Sequence, residues 1–340
     1  MLDTNTQNRP ATAREWLSVL ANYREPSLTR SVMEIAVTFG PLAGLWALAW
    51  LALSVSYWLT LVISIPAAVF LVRVFLIQHD CGHGTFFKRK NTNDWVGRAL
   101  GVFTLTPYDV WRRAHAIHHA TSGHLDKRGT GDIDTLTVAE YNALPGWRKF
   151  AYRVYRSPLV LFGVGPSYLF LLQNRIPAGF MREGWVYWAS AMATNAGIAL
   201  FAGFLIWLVG AKSFLMVHLP IVMLASSIGV WLFYIQHQFE DTAWDEETVW
   251  NVHDAALKGS SYYDLPQPLR WLTANIGVHH VHHLYSRIPY YRLQQVLRDH
   301  PELRDVKRIT IGESIGCFRL KLWDERQRKL VSFRDANDPR

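Results

Sequence analysis

The stretch GVHHVHHL at residues 277–284 places four histidines within five positions. Histidine is an indifferent helix former, and its imidazole is costly to bury without a partner. Neutral imidazole is also the commonest metal ligand in proteins. The stretch therefore favours a metal site over a histidine-rich surface patch, and the rest of the chain has to decide between the two.

The composition favours a membrane protein. The 340 residues are 50% hydrophobic and 14% aromatic, and the 18% that are charged fall below the roughly 25% usual for soluble domains. The apolar residues cluster in four runs, each near the ~20 residues that cross a bilayer as a helix. These runs are about 33–53, 57–78, 187–210 and 214–236. Buried core helices of a large soluble protein are the alternative, but four runs in two closely spaced pairs make it the weaker interpretation.

The net charge of +8 is distributed asymmetrically along the chain. If the runs form two helical hairpins with both termini in the cytoplasm, the external turns at about 54–56 and 211–213 contain one basic residue, Lys212. Arg73 lies inside the second run, where we expect its long side chain to snorkel to the inner interface. All other Lys and Arg residues then face the cytoplasm, which is the positive-inside arrangement. This distribution favours membrane topology over nucleic-acid binding, and we expect no nucleic-acid partner.

Three groups of histidines have the spacing of one helical face. His79 and His83 are four positions apart, and both HAIHH (115–119) and HHVHH (279–283) contain histidines at i, i+3 and i+4. Positions with this spacing lie on one side of a helix. The hairpin topology puts all three groups at the same membrane face, where they can share a site. The eight candidate ligands are His79, His83, His115, His118, His119, His279, His282 and His283.

Eight convergent imidazoles exceed the four ligands of one zinc ion and suit two metal ions. His237 is a ninth candidate, because it lies at the inner end of the fourth run as His79 does at the end of the second. Helical periodicity turns His280 about 100° away from its neighbour, so we assign it to a supporting or surface position. The other histidines are outside this set: His218 and His300 are interpreted as structural, and the roles of His253 and of His124, for which the rim of the site is an option, stay open.

The identity of the metal follows less directly from the residues. Imidazole suits zinc, copper, iron and nickel. A histidine site beside a large apolar region favours oxidation of a lipid-phase substrate, and attack on an unactivated C–H bond requires an oxidant that only a cofactor supplies. Iron with dioxygen meets that requirement. Nearby carboxylates could orient the imidazoles, with no single one preferred: Asp80, Asp132, Asp134, Glu240, Asp241 and Asp254.

Three strings of the sequence resemble the histidine boxes of the membrane fatty acid desaturases. They are HDCGHGTFF (79–87), HAIHHATSGHLDKRGTGDI (115–133) and NIGVHHVHHLYSRIPYY (275–291), and the likeness extends over about residues 35–295. The variant is similar to the acyl-lipid type, which includes the Δ12/ω6 and ω3 enzymes. The patterns HxxxH and HxxHH also occur in alkane hydroxylases and in carotenoid hydroxylases or ketolases, whereas the longer strings are more specific to desaturases.

The resemblance implies a di-iron centre, dioxygen as the oxidant and two electrons from an external carrier. By motif position it makes the eight histidines of the three groups iron ligands, and His237 matches a further family histidine near the end of the fourth span. It implies that one hydrogen leaves a methylene of a fatty acyl lipid and a second leaves the neighbouring carbon. The chain contains no haem-binding HPGG motif and no cysteine cluster, so we expect a separate donor, ferredoxin or cytochrome b5.

We therefore expect an all-α integral membrane protein of a bacterial inner membrane, with four transmembrane helices in two hairpins and a cytoplasmic, histidine-rich di-iron cap. Residues 1–32 are expected to form a cytoplasmic N-terminal segment without a cleavable signal, 33–295 the membrane desaturase domain and 296–340 a cytoplasmic tail. The hydrophobic stretches 157–172 and 96–110 are interpreted as interfacial or re-entrant segments, with ordinary packing as the alternative. A fifth span at 157–172 would move the third histidine group to the opposite side.

Two other functions stay open. A di-iron hydroxylase or ketolase acting on an alkane or carotenoid shares the histidine pattern, and labelled oxygen in the product would distinguish it from a desaturase. A membrane metal-binding or transport protein would have ionisable residues lining a path in mid-span, and the four runs contain few. The two cysteines, Cys81 and Cys317, are interpreted as reduced thiols.

Overall fold

The computed structural model describes residues 12–337. Residues 1–11 of the expected N-terminal segment and 338–340 of the expected tail therefore lie outside the described residues, and the division at 32 and 295 stays a prediction. The α-helices of the described part are α1 (Trp16–Leu20), α2 (Leu28–Ala52), α3 (Tyr57–His83), α4 (Lys90–Phe103), α5 (Tyr108–Thr121), α6 (Val138–Ala143), α7 (Gly146–Tyr155), α8 (Gly165–Leu171), α9 (Trp185–Val209), α10 (Ala211–His237), α11 (Val252–Lys258), α12 (Gln267–Leu272), α13 (His279–Leu284), α14 (Tyr290–Asp299) and α15 (Ile311–Cys317). The strands are β1 (Tyr262–Asp264), β2 (Arg308–Thr310), β3 (Leu322–Asp324) and β4 (Lys329–Val331).

The four apolar runs form the four longest helices, α2, α3, α9 and α10. Each is long and apolar enough to cross a membrane, which confirms the four predicted candidate spans. The helix α2 begins earlier than predicted because the side chain of Ser27 accepts a hydrogen bond from the backbone N–H of Arg30, a typical N-cap. The helix α3 ends later than predicted, so that His79 and His83 form its last turns.

The helix α3 is central, with α2, α4 and α10 packed against it. The hydroxyl of Thr60 on α3 donates to the carbonyl of Ala49 on α2 at 3.0 Å, which fixes these two helices close to the turn that joins them. Large apolar side chains on the outer faces have no protein neighbours to cover them; Trp58 and Trp207 are 78% and 79% exposed. A surface this apolar is unfavourable in water and is solvated by lipid. The four helices thus indicate a membrane protein.

The side chain of Arg73 does not snorkel, so that prediction is wrong. It is 1% exposed and forms an ion pair with Glu34 of α2. Its Nε donates to the hydroxyl of Thr38 at 3.0 Å, and its guanidinium lies 4.3 Å from the ring centroid of Trp271 and donates to the carbonyl of that residue. A charge inside the apolar region is tolerated where a partner charge and hydrogen bonds offset its desolvation, and Glu34 supplies the partner.

Four short strands depart from the all-α prediction, although the described chain is mostly helical as predicted. Strands β1 and β2 pair in parallel, with Tyr262 opposite Arg308, and β3 and β4 pair antiparallel. The backbone N–H of Tyr263 donates to the carbonyl of Gly277 at 2.8 Å, so β1 holds the segment that leads into α13. Each strand has three residues, too few for an alternating pattern to be read from the sequence.

The two hydrophobic stretches outside the candidate spans do not form further long helices. Residues 157–172 contain a π-helical turn, Val160–Val164, followed by α8, and both pack against α10 with Leu161 buried. Residues 96–110 are divided between α4 and α5. Neither stretch is a candidate span within residues 12–337. Their interfacial position stays a prediction.

We expect Arg73→Met to destabilise the protein by about 1–3 kcal/mol, because the Thr38 hydroxyl and the Trp271 carbonyl lose their buried donor, whereas Glu34 keeps an ion pair with Arg30 at 2.7 Å. Unfolding of the detergent-solubilised protein by heat or denaturant measures this loss. The control is Arg24→Met, because Arg24 and Glu25 form an exposed pair at 3.6 Å that contributes at most about 1 kcal/mol. Equal losses in the two variants would contradict a structural role for the buried pair.

Candidate metal centre

The nine predicted ligands converge in two groups. The first group comes from α3, α5 and α13, and the second from α5, α10 and α13, and within each group the candidate ligand atoms all lie within 4.8 Å of one another. Among residues 12–337, these groups contain the nine candidates and no other side chain: His79, His83, His115, His119 and His282 form the first group, and His118, His237, His279 and His283 the second.

The helices α5 and α13 contribute to both groups, which makes the groups direct neighbours. On α5, His119 belongs to the first group and His118 to the second, and His282 and His283 of α13 are divided in the same way. The rings of His119 and His283 stack across the boundary with centroids 4.1 Å apart. Adjacent residues on a helix point about 100° apart, so one turn of helix can face two neighbouring sites.

The spacing of the nitrogens fits metal coordination. In the first group, Nε2 of His115 lies 3.0 Å from Nε2 of His79 and 3.0 Å from Nε2 of His83. In the second, Nε2 of His237 lies 2.9 Å from Nε2 of His279. Two nitrogens bound to one metal at about 2.1 Å would lie between about 3 and 4 Å apart. The donor set therefore fits two metal ions with little rearrangement.

Burial favours the neutral form of five candidate ligands on α5 and α13, which is the form that binds a metal. Burial lowers the pKa of each well below its ordinary value, and neighbouring imidazoles lower it further, for His115, His119, His279, His282 and His283. An imidazole binds a metal through the lone pair of its neutral form. These five rings are thus available as ligands at neutral pH.

Two of the six candidate carboxylates contact the imidazoles. The carboxylate of Asp132 pairs with Nδ1 of His118, and that of Asp80 lies 3.3 Å from Nδ1 of His79. A carboxylate on the outer nitrogen fixes the ring orientation and the tautomer of a metal-binding histidine. The other four carboxylates have no hydrogen bond or ion pair with the nine histidines in the described structure: Asp134, Glu240, Asp241 and Asp254.

A glycine allows Asp132 to reach α5. Gly131 has φ = +76°, and a Cβ at this position would lie 3.0 Å from the carbonyl of Ala114 and 3.3 Å from Cβ of His118. A larger residue would be strained in this left-handed conformation and would push the loop away from the helix. Gly131, the second glycine of the string GTGDI, therefore positions the carboxylate of Asp132.

The centre is connected to the ion pair inside the membrane region through Tyr290, which the sequence analysis did not identify. The second oxygen of Asp80 accepts from the backbone N–H of Tyr290 at 2.7 Å, and the Tyr290 hydroxyl donates to Glu34 at 3.0 Å. Tyr290 is the first residue of α14, where the backbone N–H has no partner within the helix. The preceding proline in RIPYY was the available signal for this helix start.

Aromatic rings pack against both groups and were also missed. Trp111 stacks on His115 with centroids 4.7 Å apart, and Phe233 lies 5.1 Å from the ring of His118 and 5.0 Å from that of His237. A Cβ on Gly82 would lie 2.6 Å from the Trp111 ring, so a residue without a side chain is needed there. Trp111 precedes His115 by four positions, and Phe233 precedes His237 by four. Residues four apart lie on one face of a helix, so the sequence contained the signal for both contacts.

The histidine left outside the ligand set, His280, is buried and belongs to neither group. Its Nε2 lies 2.8 Å from the carbonyl of Leu303, and burial lowers its pKa to about 4. The prediction of a supporting position fits this placement, and the alternative of a surface position is wrong. Helical periodicity predicted that His280 points away from the ligands, but not that residues 301–304, which are remote in the chain, cover its side chain.

The remaining histidines are also outside the two groups. His124 is buried, and its ring packs at a tilt against that of Trp250 with centroids 5.0 Å apart. It lines a small cavity together with Asp132 and His237, so it lies at the rim of the site. His218 packs on Phe214. The other two lie in the peripheral helices and their flanks: His253 on α11 and His300 after α14.

We expect His282→Ala to lower the bound metal from about two ions per chain, because the residue is a member of the first group. The matched variant His280→Ala should retain the metal and lose stability instead, by about 1–3 kcal/mol, since it leaves the buried Leu303 carbonyl without its partner. Metal analysis of the purified protein, together with its unfolding midpoint, measures both effects. Equal metal loss in the two variants would contradict the assignment.

Comparison with known proteins agrees with the centre and the long helices. The family model described as fatty acid desaturase matches residues 56–312. A fatty acid desaturase of Bacillus subtilis (strain 168) is 46% identical over 316 residues, which cover 93% of this chain and 89% of the relative. An sn-1 acyl-lipid omega-3 desaturase (ferredoxin) of Synechocystis is 29% identical, covering 85% and 80%, and an sn-1 oleoyl-lipid 12-desaturase of the same organism is 24% identical, covering 79% and 75%. The resemblance of the three histidine strings is thereby confirmed, and the chain belongs to the fatty acid desaturase family.

Proposed function

We propose that this desaturase introduces a double bond into the acyl chain of a membrane lipid, with iron as its metal and dioxygen as the oxidant. The observation that carries the proposal is the pair of adjacent, buried histidine groups at the ends of apolar helices α3 and α10. Several relatives are named for acyl lipids, and two of them carry ferredoxin in their names. These names support a lipid substrate and ferredoxin as a separate protein that delivers electrons; cytochrome b5 is the alternative donor that we propose.

The reaction balances with that donor. Two adjacent methylenes lose two hydrogens, and dioxygen takes up these hydrogens together with two electrons and two protons to form two waters. Iron held by the nine histidines would supply the oxidising power that C–H cleavage needs. The residues of the chain bind and orient: the imidazoles hold the metals, and Asp80 and Asp132 hold the outer nitrogens of His79 and His118.

The aromatic rings beside the histidines suit an apolar substrate. Trp111 and Phe233 cover one ring in each group, and Phe75 lies 5.4 Å from Trp111 and 6.4 Å from Phe170. We propose that this apolar surface contacts the acyl chain and keeps water from the carbon pair that reacts. Holding the chain in one position at the oxidant favours loss of the second hydrogen over addition of oxygen.

The proposed membrane arrangement is two hairpins, α2–α3 and α9–α10, with the histidine cap and both termini in the cytoplasm of a bacterium. Support comes from the ends of the helices: α3 and α10 both finish at histidines of the centre, and the turns 53–56 and 210 lie at their opposite ends. The single basic residue near those turns is Lys212, as the positive-inside rule requires of an external loop.

Expression in a bacterial host that lacks polyunsaturated lipids tests the reaction. We expect new double bonds in the fatty acids of the membrane lipids, located by mass spectrometry, and none with His118→Ala. Under labelled dioxygen the alkene should carry no label. A labelled alcohol or ketone would show a hydroxylase or ketolase instead, and would overturn the proposal.

Labelling of single cysteines in intact cells tests the orientation. The two native cysteines are buried, so a membrane-impermeant maleimide should report only an introduced one. We expect Lys212→Cys to react from outside the inner membrane and Glu325→Cys, in the exposed turn between β3 and β4, to react only after permeabilisation. The reverse pattern would overturn the arrangement and leave the metal assignment intact.

A further inference from the structure

One face of α7 is apolar and uncovered. The side chains of Trp147, Phe150 and Val154 are 68%, 70% and 42% exposed. With 3.6 residues per turn, these three positions fall within a stripe about 60° wide. A large exposed apolar stripe on a helix marks a surface that contacts something other than water.

The orientation of this stripe is fixed by the opposite face of α7. Tyr152 is buried, and its hydroxyl donates to the carbonyl of Lys321 at 2.8 Å. Its ring packs 5.8 Å from that of Tyr141 and 6.0 Å from that of Phe333. These contacts attach α7 to the hairpin β3–β4, so rotation of the helix cannot bury the apolar stripe.

Basic side chains flank the stripe on both sides. In helical projection, Arg148 and Arg153 each lie within about 100° of the nearer edge of the stripe. Both are exposed. The guanidinium of Arg148 lies 5.1 Å from the ring centroid of Trp147, at the edge of the stripe. Arg153 instead donates to the hydroxyl of Tyr141 at 2.6 Å, and its guanidinium lies 5.1 Å from the ring centroid of Phe333, so it also binds the packed face. An apolar stripe between arginines is typical of helices that lie in a bilayer surface, where anionic headgroups meet the acyl region.

Exposed apolar side chains also follow α7 along the chain towards the candidate spans. Along the connection, Leu159, Val164 and Leu172 are 75%, 59% and 62% exposed, and the segment that carries them packs against α10. Trp185, 77% exposed, then opens α9. The turn Val160–Val164 contacts both α7 and the candidate span α10, and this link to a helix that lipid surrounds supports lipid as the neighbour of α7.

We propose that α7 lies in the membrane interface, with Trp147, Phe150 and Val154 in the acyl region and Arg148 against anionic headgroups. The inference goes beyond desaturation and rests on the membrane association of the four long helices. An interfacial α7 would also fix the depth of the metal centre relative to the membrane surface. Arg156, directly after α7, donates to Oε1 of Gln238 at 2.8 Å, and Gln238 follows the candidate ligand His237.

Nitroxide labels on single cysteines test the proposal in the full-length protein, reconstituted in phosphatidylcholine vesicles with phosphatidylglycerol. We expect labels at Trp147→Cys, Phe150→Cys and Val154→Cys to collide severalfold more with oxygen, relative to a water-soluble nickel chelate, than a label at Glu325→Cys. That control lies on the hairpin that packs against the other face of α7. Collision ratios do not depend on turnover, so they can be read even if the enzyme does not desaturate lipid.

Two results would overturn the interfacial position. One is a collision ratio at the three stripe positions equal to that at the control. The other is spin–spin broadening that disappears when labelled protein is diluted with unlabelled protein, which would show a second copy on the stripe. The headgroup contact has its own test. Arg148→Gln should reduce the depth of the Phe150→Cys label in anionic vesicles to its value in pure phosphatidylcholine, and an unchanged depth would refute the contact.

Discussion

The convergence of nine imidazoles on two adjacent points is the constraint on which the rest of the structure depends. Four helices, α3, α5, α10 and α13, must present their histidines at one level for the nitrogens to come within 4.8 Å in each group. Buried imidazoles without partners are costly, and metal ions are the partners that these nitrogens can share. The helices α5 and α13 and the ends of α3 and α10 are therefore arranged around the centre. The apolar surface of the long helices places this centre beside lipid.

A second set of buried polar contacts holds that arrangement from the membrane side. Arg73 and Glu34 pair inside the apolar region, and Tyr290 links Glu34 to Asp80, the carboxylate beside His79. An ion pair at this depth is stable only while each charge keeps its partners. The same contacts that satisfy the pair thus fix the start of α14 relative to α2 and α3, and with it the helix α13 that precedes it.

The sequence predicted local features well and long-range contacts poorly. Apolar runs and histidine spacing depend on neighbours within a helix, so the four long helices and the nine candidate ligands could be named in advance. The partner of Arg73 lies 39 positions away, and the cover of His280 lies 23 positions away. No local sequence pattern predicts such contacts. Their distance along the chain explains why the snorkelling of Arg73 and the surface position of His280 were wrong, and why Tyr290 was not identified.

By itself, then, the sequence determined the length and polarity of the membrane helices and the helical faces on which histidines can share a metal, because these depend on residue type and on a period of 3.6 residues. Only the tertiary structure decided which histidines belong to which group, which two carboxylates orient them, and which face of α7 stays uncovered. Those properties arise from packing between segments that are remote in the chain, and such packing cannot be inferred from the residue spacing within any one segment.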